Sequence, residues 1–127
     1  MMRFDLRHDL PLVDVALTFR GASQVILDVL VDTGSASTVI SADAVATIGL
    51  VPEPGDVLRT LRGVAGREVV FTRVIDRLRV GEHSVDGLLI EIGAMDYGFA
   101  IGGIFGMDFL MRAGAVLDLG QRTLTFR

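Results

Sequence analysis

An aspartate closes an apolar run in Leu30-Val31-Asp32-Thr33-Gly34-Ser35-Ala36, at a place where a core strand would ordinarily continue with Val or Ile. The Thr-Gly that follows turns the chain. Two readings are open for Asp32. Taken alone, it is a turn-capping acid at a strand end. Set against a second copy of itself, it becomes half of a catalytic pair. Two carboxylates within hydrogen-bonding distance cannot both ionise comfortably, so they share a proton and titrate as a unit. One then acts as general base towards a water held between them, the other as general acid towards a carbonyl oxygen. The neighbours suit that chemistry. Thr33 offers a hydroxyl to lock its loop against a partner loop, Gly34 lets a backbone N–H approach the carboxylate, and Ser35 can bond its outer oxygen. The chain holds one Asp-Thr-Gly, so a dyad needs two chains, and a C2 homodimer sets each Asp32 beside its symmetry mate.

Other chemistries find less support. With no Cys in the chain, disulfides, thiolate metal sites and Cys nucleophiles are excluded. Ser35, Ser37 and Ser41 have no local His or Lys base. His8 falls in a polar N-terminal segment and His83 in a turn, both expected on the surface and too far apart for a metal site; neither a metal nor a cofactor is expected. Gly102-Gly103-Ile104-Phe105-Gly106 lacks the Lys-Ser/Thr ending of a phosphate loop, and its glycines fit close strand crossing better. Asp108 belongs in the first turn of a helix, in a capping or dipole role and within reach of Arg112 at i+4. Arg73, Arg77 and Arg79 read as a solvated strand face. A net charge of −4 without a basic cluster argues against a nucleic-acid surface.

The elements that must position Asp32 are short strands. At 127 residues, half of them apolar, the chain suits one domain over 1–127, with 1–11 as an N-terminal segment expected to be flexible. Strands are expected over Leu12 to Phe19, Gln24 to Val31 and Val39-Ile40. Ser41 N-caps a helix over Ala42 to Ile48 that stops at Gly49. Val57 to Leu61 and Glu68 to Val74 form a hairpin around a Gly-rich tip at Arg62 to Arg67. Leu78 to Val80, Val85 to Ile92 and Ala100 to Phe105 follow as strands. A helix over Asp108 to Ala113 closes at Gly114, and Ala115 to Leu119 and Thr123 to Phe126 make a last hairpin. The regular spacing of short strands predicts an all-β fold, closed or sandwich-like, with two short helices. A weak internal echo links Val29 to Gly34 with Ile101 to Gly106: each is an apolar strand ending at Gly ahead of a helix, and one of the two carries an Asp. The hairpin tip at Gly63 to Gly66 is the candidate lid that excludes solvent during water attack on an amide.

In this order and spacing the motifs resemble a single-domain, retropepsin-like (retroviral-type) aspartic protease, closest to the bacterial branch, over about Leu12 to Phe126. Val31-Asp32-Thr33-Gly34-Ser35-Ala36 resembles the catalytic loop, Gly63-Val64-Ala65-Gly66 the flap tip, and Ile104-Phe105-Gly106-Met107-Asp108-Phe109-Leu110 the apolar-apolar-Gly element with its helix. The resemblance implies a closed β-barrel protomer and an obligate C2 homodimer with endopeptidase activity on an extended polypeptide. Asp32, Thr33 and Gly34 would be catalytic, and Ser35, Ala36, Gly63, Val64, Ala65, Gly66 and Ile104 would meet substrate. Val39 and Ile101 are further apolar subsite candidates. Viral enzymes usually carry an Asp where this chain has Ala36, so peptide anchoring differs. Arg62 and Arg67 beside the tip would favour acidic or polar substrate residues. The alternative function is a catalytically silent dimerisation or peptide-binding module that keeps the fold. The most apolar window, Leu88 to Leu110, contains Glu91, Asp96 and Asp108, which a membrane helix would rarely tolerate. With no apolar leader at the N-terminus, the expected location is cytoplasmic.

Overall fold

The computed structural model describes residues 2–7, 9–63, 66–95 and 100–127. Two long antiparallel strands, β3 (Leu10–Phe19) and β4 (Ala22–Val31), open the main sheet after β1 (Met2–Arg3) and β2 (Asp5–Arg7). Then come β5 (Val39–Ser41), α1 (Ala42–Ala46) and the hairpin of β6 (Leu58–Gly63) and β7 (Gly66–Val74). They are followed by β8 (Arg77–Val80), β9 (His83–Asp86), β10 (Leu89–Gly93), β11 (Gly103–Phe105) and α2 (Met107–Ala113), and by a closing pair, β12 (Ala115–Asp118) and β13 (Thr123–Phe126). The main sheet runs β6-β7-β10-β5-β11-β4-β3-β8-β9, with β2 added to β3, while β1, β13 and β12 form a small second sheet.

The fold is mostly β, and the alternating pattern explains it. Val13, Val15, Leu17 and Phe19 of β3 point into the main core with Ile26 and Val29 of β4, and Phe105, Phe109 and Leu124 close it. The closed barrel implied by the resemblance is not found: among the described residues no pairing joins the two edge strands of the main sheet. β6 belongs to a hairpin that leaves Leu58 65 % exposed, whereas β9 is held by α2, where Arg112 donates to the carbonyl of Asp86 at 2.7 Å. The two edges thus have different neighbours.

Several local expectations shift. The first strand begins at Leu10, and the residues before it are placed as β1, paired with β13, and β2, paired with β3, around a buried Phe4. α1 ends at Ala46 with Thr47 as C-cap, two residues short of Ile48, and Gly49 follows at φ +80°. The run Val85 to Ile92 breaks into β9 and β10 at Gly87, whose φ of +63° suits a residue without Cβ. The last strand before α2 is confined to Gly103–Phe105. His83 is not a free surface side chain: it sits half-buried in β9 with its ring stacked on Phe126 at 4.7 Å. His8 lies outside the described residues.

Arg73 also departs from a solvated face. Its side chain is 11 % exposed, and Nε donates to Asp56 Oδ1 at 3.0 Å while Nη2 reaches the carbonyl of Val51 at 3.1 Å. Beside it Arg20 binds Glu53 at 2.8 Å, so two arginines fasten the loop between α1 and β6. The hydrogen bond from Arg73 holds the Asp56 carboxyl below the usual carboxylate range, and the one from Arg20 does the same for Glu53. A carboxyl whose pKa is lower folded than unfolded adds stability above its unfolded value, and that stability is lost as pH falls through the folded-state value. The urea midpoint is therefore expected to fall once pH drops below about 4, and Arg73→Gln should flatten that acid limb. An identical pH slope in the variant would show that the network contributes nothing to it.

Candidate active site

The echo seen in the sequence is a physical pairing. β11 lies parallel to β4, with Ile104 opposite Leu30 and Phe105 opposite Val31, and antiparallel to β5, with Ile104 opposite Val39. This contact requires small residues. A Cβ on Gly102 would stand 2.2 Å from the carbonyl oxygen of Leu27, and one on Gly103 2.6 Å from that of Val39. β4 is bent to meet β11 by a bulge against β3 between Val13 and Val15, where Asp28 adopts φ +56° and its N–H is received by Asp14 Oδ1 at 3.0 Å.

β4 delivers Asp32 to the edge of the core. Its backbone N–H bonds to the carbonyl of Phe105 at 3.0 Å, and its half-buried side chain accepts the N–H of Gly34 through Oδ1 at 2.9 Å. A Cβ on Gly34 would lie 3.1 Å from that oxygen, which is the close approach expected of a glycine there. Thr33, Gly34 and Ala36 are exposed. The Ser35 hydroxyl does not meet the Asp32 carboxylate: it donates to the carbonyl of Ser37 at 2.7 Å and braces the loop from within.

The loop is also clamped from the α2 side. Met107 and Asp108 donate their N–H groups to the carbonyls of Ser35 and Ala36 at 2.8 and 3.2 Å. Asp108 serves a purpose its helix position alone did not disclose. Its Oδ2 accepts the N–H of Thr38 at 3.1 Å, and its Oδ1 accepts the Thr38 hydroxyl at 2.8 Å. The fully buried Thr38 in turn receives the N–H of Gly106 at 3.2 Å. The expected Asp108–Arg112 pair is absent because Arg112 turns to Asp86. Thr38 was missed by sequence reasoning; its signal was a hydroxyl six residues after Asp32, directly ahead of the apolar Val39-Ile40.

Ile104 lies on the opposite side of the sheet from Phe105. It joins Leu12, Val39, Val70, Met95 and Ile101 in a second apolar cluster, against which Leu30 and Leu61 pack. Leu61 and Val70 come from the β6–β7 hairpin, so the hairpin and the strand behind Asp32 share one face. Gly63 and Gly66 pair at the hairpin's end, and Val64 and Ala65 lie outside the described residues. On the other side of the Asp32 loop is an apolar groove lined by Val31, Thr33, Met107, Met111, Leu117 and Leu124. Among the described residues no cluster of His, Asp and Glu could hold a metal ion, and no helix is long and apolar enough to cross a membrane.

An Asp-Thr-Gly loop fed by paired strands and closed by an apolar-apolar-Gly turn defines a class. The family model described as aspartyl protease matches residues 15–109, and the chain belongs to that family. The matched span runs from β3 into α2 and so takes in the Asp32 loop, the hairpin and β11. No curated protein matches the chain at a significant level.

Proposed function

We propose that the chain is one half of an aspartic endopeptidase, in which Asp32 from each of two copies activates a water for attack on a peptide bond. The observation that carries this reading is the half-buried Asp32 carboxylate, held at a strand end by the Gly34 N–H in a chain with no second Asp-Thr-Gly. A lone carboxylate can take a proton from water or donate one, but one group cannot do both at the same moment. The site is complete only with a copy.

The groove beside the loop supports the same pairing. It is apolar, it is lined by Thr33, and Met111 on its rim is 72 % exposed. A second copy placing its own Thr33 and Met111 there would bury this surface around a twofold axis next to both Asp32 residues. The extended polypeptide would then run between the two loops, under the β6–β7 hairpins, with Gly63 to Gly66 closing over its backbone and Ile104 and Val39 receiving its apolar side chains.

Oligomeric state tests the proposal. Sedimentation equilibrium is expected to give a dimer, with peptidase activity rising as the dimer fraction rises. Met111→Glu puts a charge into the apolar contact and should weaken association at least about tenfold, equivalent to roughly 1.4 kcal/mol, with activity falling in step. Full activity from a monomer would overturn the proposal. A stable dimer that binds peptides without cleaving them at any acid pH would favour the silent-module reading.

A further inference from the structure

One charged residue interrupts the apolar face behind the hairpin. Glu91 on β10 is the register partner of Val39 on one side and of Thr72 on the other, and Val39 is followed across the sheet by Ile104 and Leu30. Partners across adjacent strands project to the same side, so Glu91 shares the face of the second apolar cluster. It is 3 % exposed, and among the described residues its Oε2 has no hydrogen-bond partner. Oε1 lies 3.5 Å from Arg59 Nη1, on a side chain that is itself 50 % exposed. Glu68, the acid on the hairpin, differs in being satisfied: its Oε1 accepts the N–H groups of Ala94 and Met95 at 2.6 and 3.3 Å.

A carboxylate held out of water with one oxygen unpartnered weakens a fold, and an apolar side chain of like volume would serve packing better. The position of Glu91 offers another use. The next register pair along the same face, Leu89 with Val74, is 43 % and 56 % exposed, so Glu91 stands one step inside the rim. Arg59 marks the entrance and holds the charge loosely.

We propose that Glu91 determines specificity, accepting through Oε2 a donor from a basic side chain, Lys or Arg, of the bound polypeptide. This rests on the reading of the face between the Asp32 loop and the hairpin as the substrate cleft. A neutral donor would satisfy the open oxygen. A cation also compensates the buried charge, and its methylene stem packs on Val39 and Ile104. The preference runs opposite to the acidic one that the tip arginines Arg62 and Arg67 alone would predict.

The test uses peptide pairs that differ by Lys or norleucine at each position around the scissile bond. The wild-type protein should favour Lys at one position by at least about tenfold in kcat/KM, since a site built around a polar contact discriminates against a substrate lacking it. In Glu91→Gln and Glu91→Leu that ratio should fall towards one, and in Arg59→Gln it should rise. A merely structural Glu91 would lower both peptides of a pair together and leave the ratio unchanged. That result, or a wild-type ratio of one at every position, would overturn the proposal. If the wild-type protein cleaves no peptide, the endopeptidase reading fails by itself. The same pairs ranked by binding to Asp32→Asn protein then decide for or against Glu91.

Discussion

Asp32→Asn is expected to remove peptide cleavage, by about 10³-fold or more, while leaving the fold and the self-association intact. The size follows from losing general acid–base catalysis at the reacting water. The preservation of structure follows from the contacts. Asn keeps a carbonyl oxygen for the Gly34 N–H, and the loop's other ties, to Phe105, Met107 and Asp108, do not involve the Asp32 side chain. In the proposed dimer the two carboxylates titrate as a pair, so wild-type activity should lean to acid pH and the variant should show no such profile. Acid also erodes the Arg73–Asp56 and Arg20–Glu53 fastenings, so the working range is bounded below by stability as well as by protonation. Cleavage by purified Asp32→Asn at the wild-type rate would end the assignment.

Gly106→Ala should be among the most damaging single methyl additions at the described residues. A Cβ at Gly106 would stand 2.3 Å from the carbonyl oxygen of Ser37, 2.4 Å from its carbonyl carbon and 2.7 Å from its nitrogen. All three are backbone atoms, so no side chain can swing away. The backbone itself is not strained at Gly106, where φ is −93°; the conflict is one of space. Relief requires moving the 35–38 segment off α2, which breaks the Thr38 hydroxyl's bonds to Gly106 and Asp108 together. We expect a loss on the order of 3 kcal/mol or more, read as a lower urea midpoint, with reduced activity in whatever protein remains folded. A variant as stable as the wild type would mean that the loop and helix separate easily, and that the Thr38–Asp108 contact positions nothing.

The sequence was most legible where chemistry and backbone geometry coincide. Asp32-Thr33-Gly34 announced a turn as well as a carboxylate, and the bond from Gly34 to Asp32 follows from both. Ser41 as N-cap and Gly114 as a left-handed C-cap were readable because each has a local physical cause. What stayed hidden depends on distant partners. Arg73 looks like any solvated strand arginine until Asp56 and Val51 are folded against it. Asp108 has Arg112 one turn away, yet it serves Thr38, which lies 70 residues off in sequence. Glu91 falls in a run of Leu and Ile and shows no periodic sign of its role, since its meaning comes from Val39 and Thr72 on neighbouring strands. Barrel closure was implied by the family resemblance, whereas strand count and spacing left a sandwich equally open and do not specify whether the outermost strands meet.

The bond from Asp32 to Phe105 has a consequence for how the protein is made. It joins residues separated by more than half the chain, within a parallel pairing that no hairpin can nucleate. Contacts of such high order close late and slowly, because the entropy of the intervening loop is lost before the pairing compensates it. The Asp32 loop acquires its shape only after α2 has been synthesised. A partly translated chain therefore carries the Asp-Thr-Gly letters without the shape of the loop, whose formation is timed by topology.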